Sequence, residues 1–131
     1  MPVAPVAAEV NPEEINSLTL AIKHAIQAGN NDEAELLLKQ LGTRLPPESI
    51  TLLQLRAWYK MQSGDKTQAI SLYRQIVGRI PDDETATVNL ALLYWKAGQQ
   101  DEARHLIGAL AERRPESETV QRYSRQFGAL R

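Results

Sequence analysis

The sequence predicts an all-α fold, a short array of helix–turn–helix hairpins, and three observations predict it. A glycine recurs at Gly29, Gly64 and Gly98, spaced 35 and 34 residues apart. Each glycine is followed five residues later by alanine (Ala34, Ala69, Ala103) and seventeen residues later by proline (Pro46, Pro81, Pro115). Hydrophobic residues recur nine and twelve positions after each glycine: Leu38 and Leu41, Tyr73 and Ile76, Ile107 and Leu110. Three copies that agree at five positions mark an internal repeat, and this period is that of stacked supersecondary units.

Each repeated position has a physical reason. The glycine ends one helix, because it adopts the left-handed backbone of a C-terminal cap without strain. Polar residues after it, such as Asp32 and Asp101, start the next helix and suit its positive end. The alanine lets the two helices approach closely. The two hydrophobic positions fall on the alanine's face at helical spacing. The proline stops the second helix and turns the chain into the next repeat.

Taken in order, the chain opens on "MPVAPVAAEV", which is apolar but holds two prolines and no basic n-region. It reads as a Pro/Ala tail or linker over residues 1–12, not as a signal peptide. It suits either a native flexible tail or a tether to a longer parent protein. "NPEE" at 11–14 reads as a helix start, with Asn11 as cap, Pro12 at the first position and Glu14 reaching back. The helical domain then runs over 13–131, with repeats at about 15–48, 49–83 and 84–117.

The first repeat carries Leu18, Ala21, Ile22 and Ala25 on its first helix. In the second, an ungapped alignment would place Arg56 and Lys60 in the core, which is costly for charged side chains. A one-residue insertion before Gly64 places Leu52, Leu55 and Tyr59 there instead, leaving Arg56 at a position that usually holds a small residue. The third repeat has Leu90, Ala91 and Tyr94 on its first helix. In the final segment Ser117 can cap a helix, and Val120, Tyr123 and Phe127 share one apolar face. Residues 117–128 therefore read as the terminal capping helix that a stacked array requires.

Composition narrows the function classes. The chain has 131 residues, 43% hydrophobic and 24% charged, which suits one globular domain. Its net charge of -1 gives no global field towards nucleic acid or an anionic membrane. The absence of cysteine excludes disulfides, thiolate metal sites and cysteine nucleophiles. No apolar run approaches the roughly 18 residues of a membrane span.

Catalytic signatures are also missing: there is no phosphate-binding glycine loop and no metal-binding histidine helix. His24 and His105 each lack a second ligand at i+3 or i+4 and read as surface or partly buried histidines. Asp82, Asp83 and Glu84 read as a helix N-terminus rather than a metal site. No catalytic residue, cofactor or metal is expected.

The recurring glycine, alanine, hydrophobic pair and proline resemble the tetratricopeptide repeat, whose period is 34 residues. The resemblance covers about residues 15–117. It implies a right-handed α-solenoid of three hairpins with a capping helix, acting as a non-enzymatic scaffold for a protein or peptide partner. In this family the first helices line a concave groove. The matching positions are Asn16, Thr19, Lys23 and Ile26 in repeat 1, and Thr85, Val88, Leu92 and Trp95 in repeat 3. Repeat 2 supplies Ile50, Leu53, Ala57 and Lys60 in the inserted register, or Thr51, Gln54, Trp58 and Met61 in the ungapped one.

The candidate partner-binding residues are therefore Lys23, Ile26, Leu53, Val88, Leu92 and Trp95. Leu92 and Trp95 serve either as an anchor site for a partner or as core beneath the C-terminal helix. Trp58 is expected to pack between repeats. The carboxylate clamp by which some members hold chaperone tails is not met. Of its matching positions (Thr19, Lys23, Leu55 or Arg56, Thr85, Asn89), only Lys23 has a suitable charge where asparagine is expected.

Family-level analogy points to bacterial envelope assembly, secretion, pili or polysaccharide export. It also points to a soluble domain, cytoplasmic or periplasmic, of a membrane-anchored parent. The alternative function is self-association, as a homodimer through the solenoid end or the C-terminal helix. The fold-back of Tyr123 and Phe127 on the third repeat decides whether that end is closed.

Overall fold

Asn11 opens the first helix as its capping chemistry requires: its side chain accepts the backbone N–H of Glu13 at 2.8 Å and of Glu14 at 3.4 Å. The computed structural model describes residues 11–128, so the Pro/Ala segment 1–10 lies outside the described residues. Among the described residues there are seven helices and no strand. They fall into two compact units that divide after Asp65.

The first unit holds α1 (Pro12–Ala28), α2 (Asn31–Gly42) and α3 (Ile50–Gln62). Gly29 ends α1 at a φ of 75°, the left-handed conformation expected of the repeat glycine. α1 and α2 close on each other around Ala34, which is fully buried, and α3 completes the core with Leu52, Leu55 and Tyr59. The inserted register of the second repeat is therefore the one the chain adopts, and Trp58 packs half-buried on this same core.

Glu14 does not reach back to its own cap. Its carboxylate takes the guanidinium of Arg44, which ties the start of α1 to the turn after α2.

The oddity at Arg56 has a local explanation. Gly42 stands thirteen residues after the repeat glycine, where the other repeats hold Val77 and Ala111. A methyl group at Gly42 would lie 3.4 Å from Arg56 Nη2. The missing side chain makes room for the guanidinium end of Arg56. α2 also stops four residues before Pro46, whereas the other two second helices stop two residues before theirs. Glycine is a weak helix former, and the hydroxyl of Thr43 donates to the Gln40 carbonyl at 2.7 Å, which closes the helix early.

The second unit holds α4 (Lys66–Arg79), α5 (Glu84–Lys96), α6 (Gln100–Arg113) and α7 (Glu118–Phe127). α5 packs against all three others. It is accordingly buried on most of its circumference, through Ala86, Thr87, Val88, Leu90, Ala91 and Leu93. The repeat alanines Ala69 and Ala103 are fully buried, as are Ile76, Ile107 and Leu110.

The acidic run before α5 divides its labour. Asp82 accepts from Arg113 Nε at 2.7 Å. Asp83 caps α5 by accepting from Ala86 N–H at 3.0 Å. Glu84 accepts from the Ser117 hydroxyl at 2.9 Å. Ser117 in turn caps α7, accepting from Val120 N–H at 3.2 Å. These bonds lock the turn after α6 onto the turn before α5 and so set the direction of α7.

α7 lies back on the third repeat. Val120, Ser124 and Phe127 are buried, and the Phe127 ring stacks on Trp95 with centroids 4.7 Å apart and planes 9° from parallel. Tyr123 leans on Phe127 at 6.0 Å. The apolar face seen in the sequence is thus spent on closing this end.

Candidate functional site

The structure places the six sequence-derived residues in three different situations. Lys23 is exposed on α1. Ile26, Leu53 and Val88 are buried, only 4%, 7% and 7% exposed. The reason for Ile26 is helical geometry: it stands one turn after Ile22 and shares that residue's inward stripe. Val88 is covered by Phe127 and joins Ala91, Ala103 and Ile107 in one cluster. Leu92 and Trp95 are half-buried at the edge of the same cluster. With Phe127 stacked on its ring and the Arg104 guanidinium 5.6 Å from its centroid, Trp95 holds α7 in place.

The open recess of the second unit lies on the other side of α5. Leu90 and Tyr94 are four residues apart and share a face, whereas Val88, Leu92 and Trp95 project roughly oppositely, given about 100° per residue. The recess is a groove of about 690 Å³ between α4 and α6. Val77 of α4, Leu90 and Tyr94 of α5 and Leu106 of α6 give it an apolar lining. Arg74 stands on the α4 bank, with Asp101, Glu102 and His105 on the α6 bank. Gly78 lines it as well. A methyl group built there meets nothing within 4 Å, so the glycine leaves a gap in the wall.

Two polar contacts involve residues around the groove. Tyr73 of α4 is buried, and its hydroxyl accepts from Asn89 Nδ2 of α5 at 3.1 Å. Burial pushes the Tyr73 phenol up to about 12, so it stays neutral and takes no part in acid–base chemistry near neutral pH. Asp101 accepts from Arg104 at 3.5 Å across one helical turn. The groove therefore presents an apolar floor between rims of opposite charge, the anatomy of a small protein-interaction surface. Among the described residues no three His, Asp or Glu side chains gather as a metal site, and no helix is long and apolar enough to cross a membrane.

A second recess, in the first unit, is lined by Glu14, Ser17, Leu18, Gln40, Thr43 and Arg44. The Glu14–Arg44 ion pair lies in its wall.

Sequence reasoning did not find the α4–α6 groove. One signal was available. Gly78 sits inside a helix with no capping duty, fourteen residues after the repeat glycine, where the other repeats hold Thr43 and Glu112. An interior glycine costs helix stability, so its presence marks a place where a side chain is dispensed with.

Residues 60–123, from the end of α3 into α7, match the family model described as Tetratricopeptide repeat. No curated protein matches the chain.

Proposed function

The chain belongs to the tetratricopeptide-repeat family, whose repeats generally mediate protein–protein interaction, and from that premise we propose that it is a non-enzymatic scaffold whose partner docks in the groove between α4 and α6. The observation that carries this reading is the groove itself: an apolar floor of Val77, Leu90, Tyr94 and Leu106, open to solvent beside a glycine gap. The Trp95 face supports it less, because Phe127 already occupies that ring.

The fitting partner is a short helix or extended segment with an aliphatic or aromatic anchor for the floor. A basic group on one side would meet Asp101 and Glu102, and an acidic group on the other would meet Arg74. A place in bacterial envelope assembly, secretion, pili or polysaccharide export belongs to this proposal on family analogy alone, and the identity of the partner decides it.

Gly78→Leu tests the groove. A Cβ there meets nothing within 4 Å, and leucine raises helix propensity over glycine. Partner recovery by affinity capture is expected to fall at least about tenfold, the loss of one central anchor contact, while helicity and melting temperature hold or rise. Trp95→Phe, which keeps an aromatic ring for Phe127, is expected to leave recovery unchanged. Retention of the partner by Gly78→Leu together with its loss in Trp95→Phe would move the site to the α5–α7 side.

A further inference from the structure

The α4–α6 groove carries charges that the chain leaves unmatched. Arg74 on one bank and Glu102 on the other form no ion pair among the described residues. Asp101 has Arg104 at 3.5 Å, but its side chain is 98% exposed, and a pair so open to water contributes little. Opposite charges that line one groove without meeting leave their counter-charges to be supplied from outside. The α6 bank is the stronger of the two, with two carboxylates against the single guanidinium of α4.

Helical spacing puts a histidine among these carboxylates. Asp101, Glu102, His105 and Leu106 stand at i, i+1, i+4 and i+5 of α6 and share one face, away from the buried Ala103 and Ile107. His105 is exposed and lies one turn after both carboxylates, four residues from Asp101 and three from Glu102. From the other elements, Arg74 of α4 and Tyr94 of α5 complete the charged and titratable lining. α7 also packs on α6 but contributes no residue to the groove. A proton on His105 therefore arrives beside both carboxylates, on the bank opposite Arg74. Histidine is the side chain whose charge ordinarily changes between roughly pH 5 and 8.

We propose that the groove selects a basic amphipathic segment of a partner protein, held through Asp101 and Glu102, and that proton uptake by His105 weakens this hold. The proposal rests on the reading of the groove as the docking site. The segment's apolar stripe meets Leu106 and the floor, and its lysine or arginine meets the two carboxylates a turn away. An acidic segment would gain only Arg74 and would face two like charges, which disfavours it. A neutral imidazole leaves the carboxylates free to attract the basic group. An imidazolium offsets them and repels that group, so binding weakens as the pH falls. Because all these charges are exposed, binding also weakens as salt screens them.

Fluorescence anisotropy of the full chain with two labelled, end-capped helical peptides tests this. Both peptides carry the same leucine stripe, flanked on one side by lysines in the first and by glutamates in the second, with glutamine elsewhere. At about pH 7.5 the lysine peptide is expected to bind at least about tenfold more tightly than the glutamate peptide. Lowering the pH to about 5.5 is expected to weaken the lysine peptide about threefold, the effect of one exposed charge. His105→Gln is expected to remove that pH dependence, and His24→Gln, at the other histidine, to leave it in place. Asp101→Asn/Glu102→Gln is expected to erase the preference for lysine. Failure of either peptide to bind, equal binding of the two or a preference for glutamate overturns the partner class. A pH dependence that survives His105→Gln overturns the role of His105. Gly78→Leu keeps these outcomes apart from the docking reading. Lysine-peptide binding indifferent to Gly78→Leu removes the groove as the site, whereas binding lost in Gly78→Leu without any charge preference overturns only the selection.

Discussion

Single residues in this protein are tuned by where the repeat puts them. Tyr59 takes the position that Tyr94 holds in the third repeat and keeps its hydroxyl satisfied by donating to Glu35 at 2.6 Å. That bond, with burial and the charges of Glu35 and Asp32, pushes the Tyr59 phenol up to about 12. Burial does the same for Tyr73. Both folded values are raised above that of the unfolded chain. Their contribution to stability is therefore complete below about pH 10 and is lost as the pH rises through about 12. Denaturant melts at stepped alkaline pH are expected to show this decline. Glu35→Gln is expected to lower the Tyr59 value, which absorbance titration of the phenolates reads directly.

Two buried hydroxyls show the opposite situation. Thr87 Oγ1 and Ser124 Oγ have no hydrogen-bond partner among the described residues. A buried polar atom left unpaired costs on the order of 1–3 kcal/mol. Thr87→Val and Ser124→Ala are expected to raise stability by about 1 kcal/mol each in chemical denaturation. Unchanged or lower midpoints for both would show that the hydroxyls are satisfied in solution.

At the scale of elements, the hairpins were legible because the signals that make them are local. A glycine that turns the chain, an alanine that permits close approach and a proline that bars further helix all act within a few residues of themselves. The same holds for the caps at Asn11, Asp83 and Ser117. The fold-back of α7 was legible only as an alternative. Its apolar face, Val120 to Phe127, could be read, but whether that face meets Trp95 depends on Arg113, Arg114 and Ser117 holding two distant turns together. The burial of Ile26, Leu53 and Val88 was not legible for a related reason. A helix that packs against several neighbours buries more of its circumference than its own periodicity reveals.

α7 makes a direct prediction at this scale. Phe127→Ala removes the ring that stacks on Trp95 and opens the Val88 cluster, at a cost of roughly 3–5 kcal/mol. In a Trp58→Phe background, Trp95 emission is expected to shift to the red as α7 detaches. An unmoved spectrum would mean that α7 is held by its turn rather than by its apolar face.

At the scale of the whole molecule, the chain carries almost no net charge, so its surfaces act through local pattern. One is the groove of the second unit, apolar with charged banks. This surface was not visible in the composition: the groove exists because α4 and α6 stand apart over α5. The family's usual groove positions were legible as positions, but their burial was not.

Docking of the partner in the α4–α6 groove is read most sharply from backbone amide spectra of the isotope-labelled chain. The captured partner, or its binding segment, would be titrated in while each amide is followed. The largest shifts are expected at Arg74, Val77, Gly78, His105 and Leu106, with the amides of α1 and α2 unmoved. Shifts centred instead on Lys23 and the rest of α1, or on Leu92, Trp95 and α7, would contradict the assignment and return the site to the faces named by the family pattern.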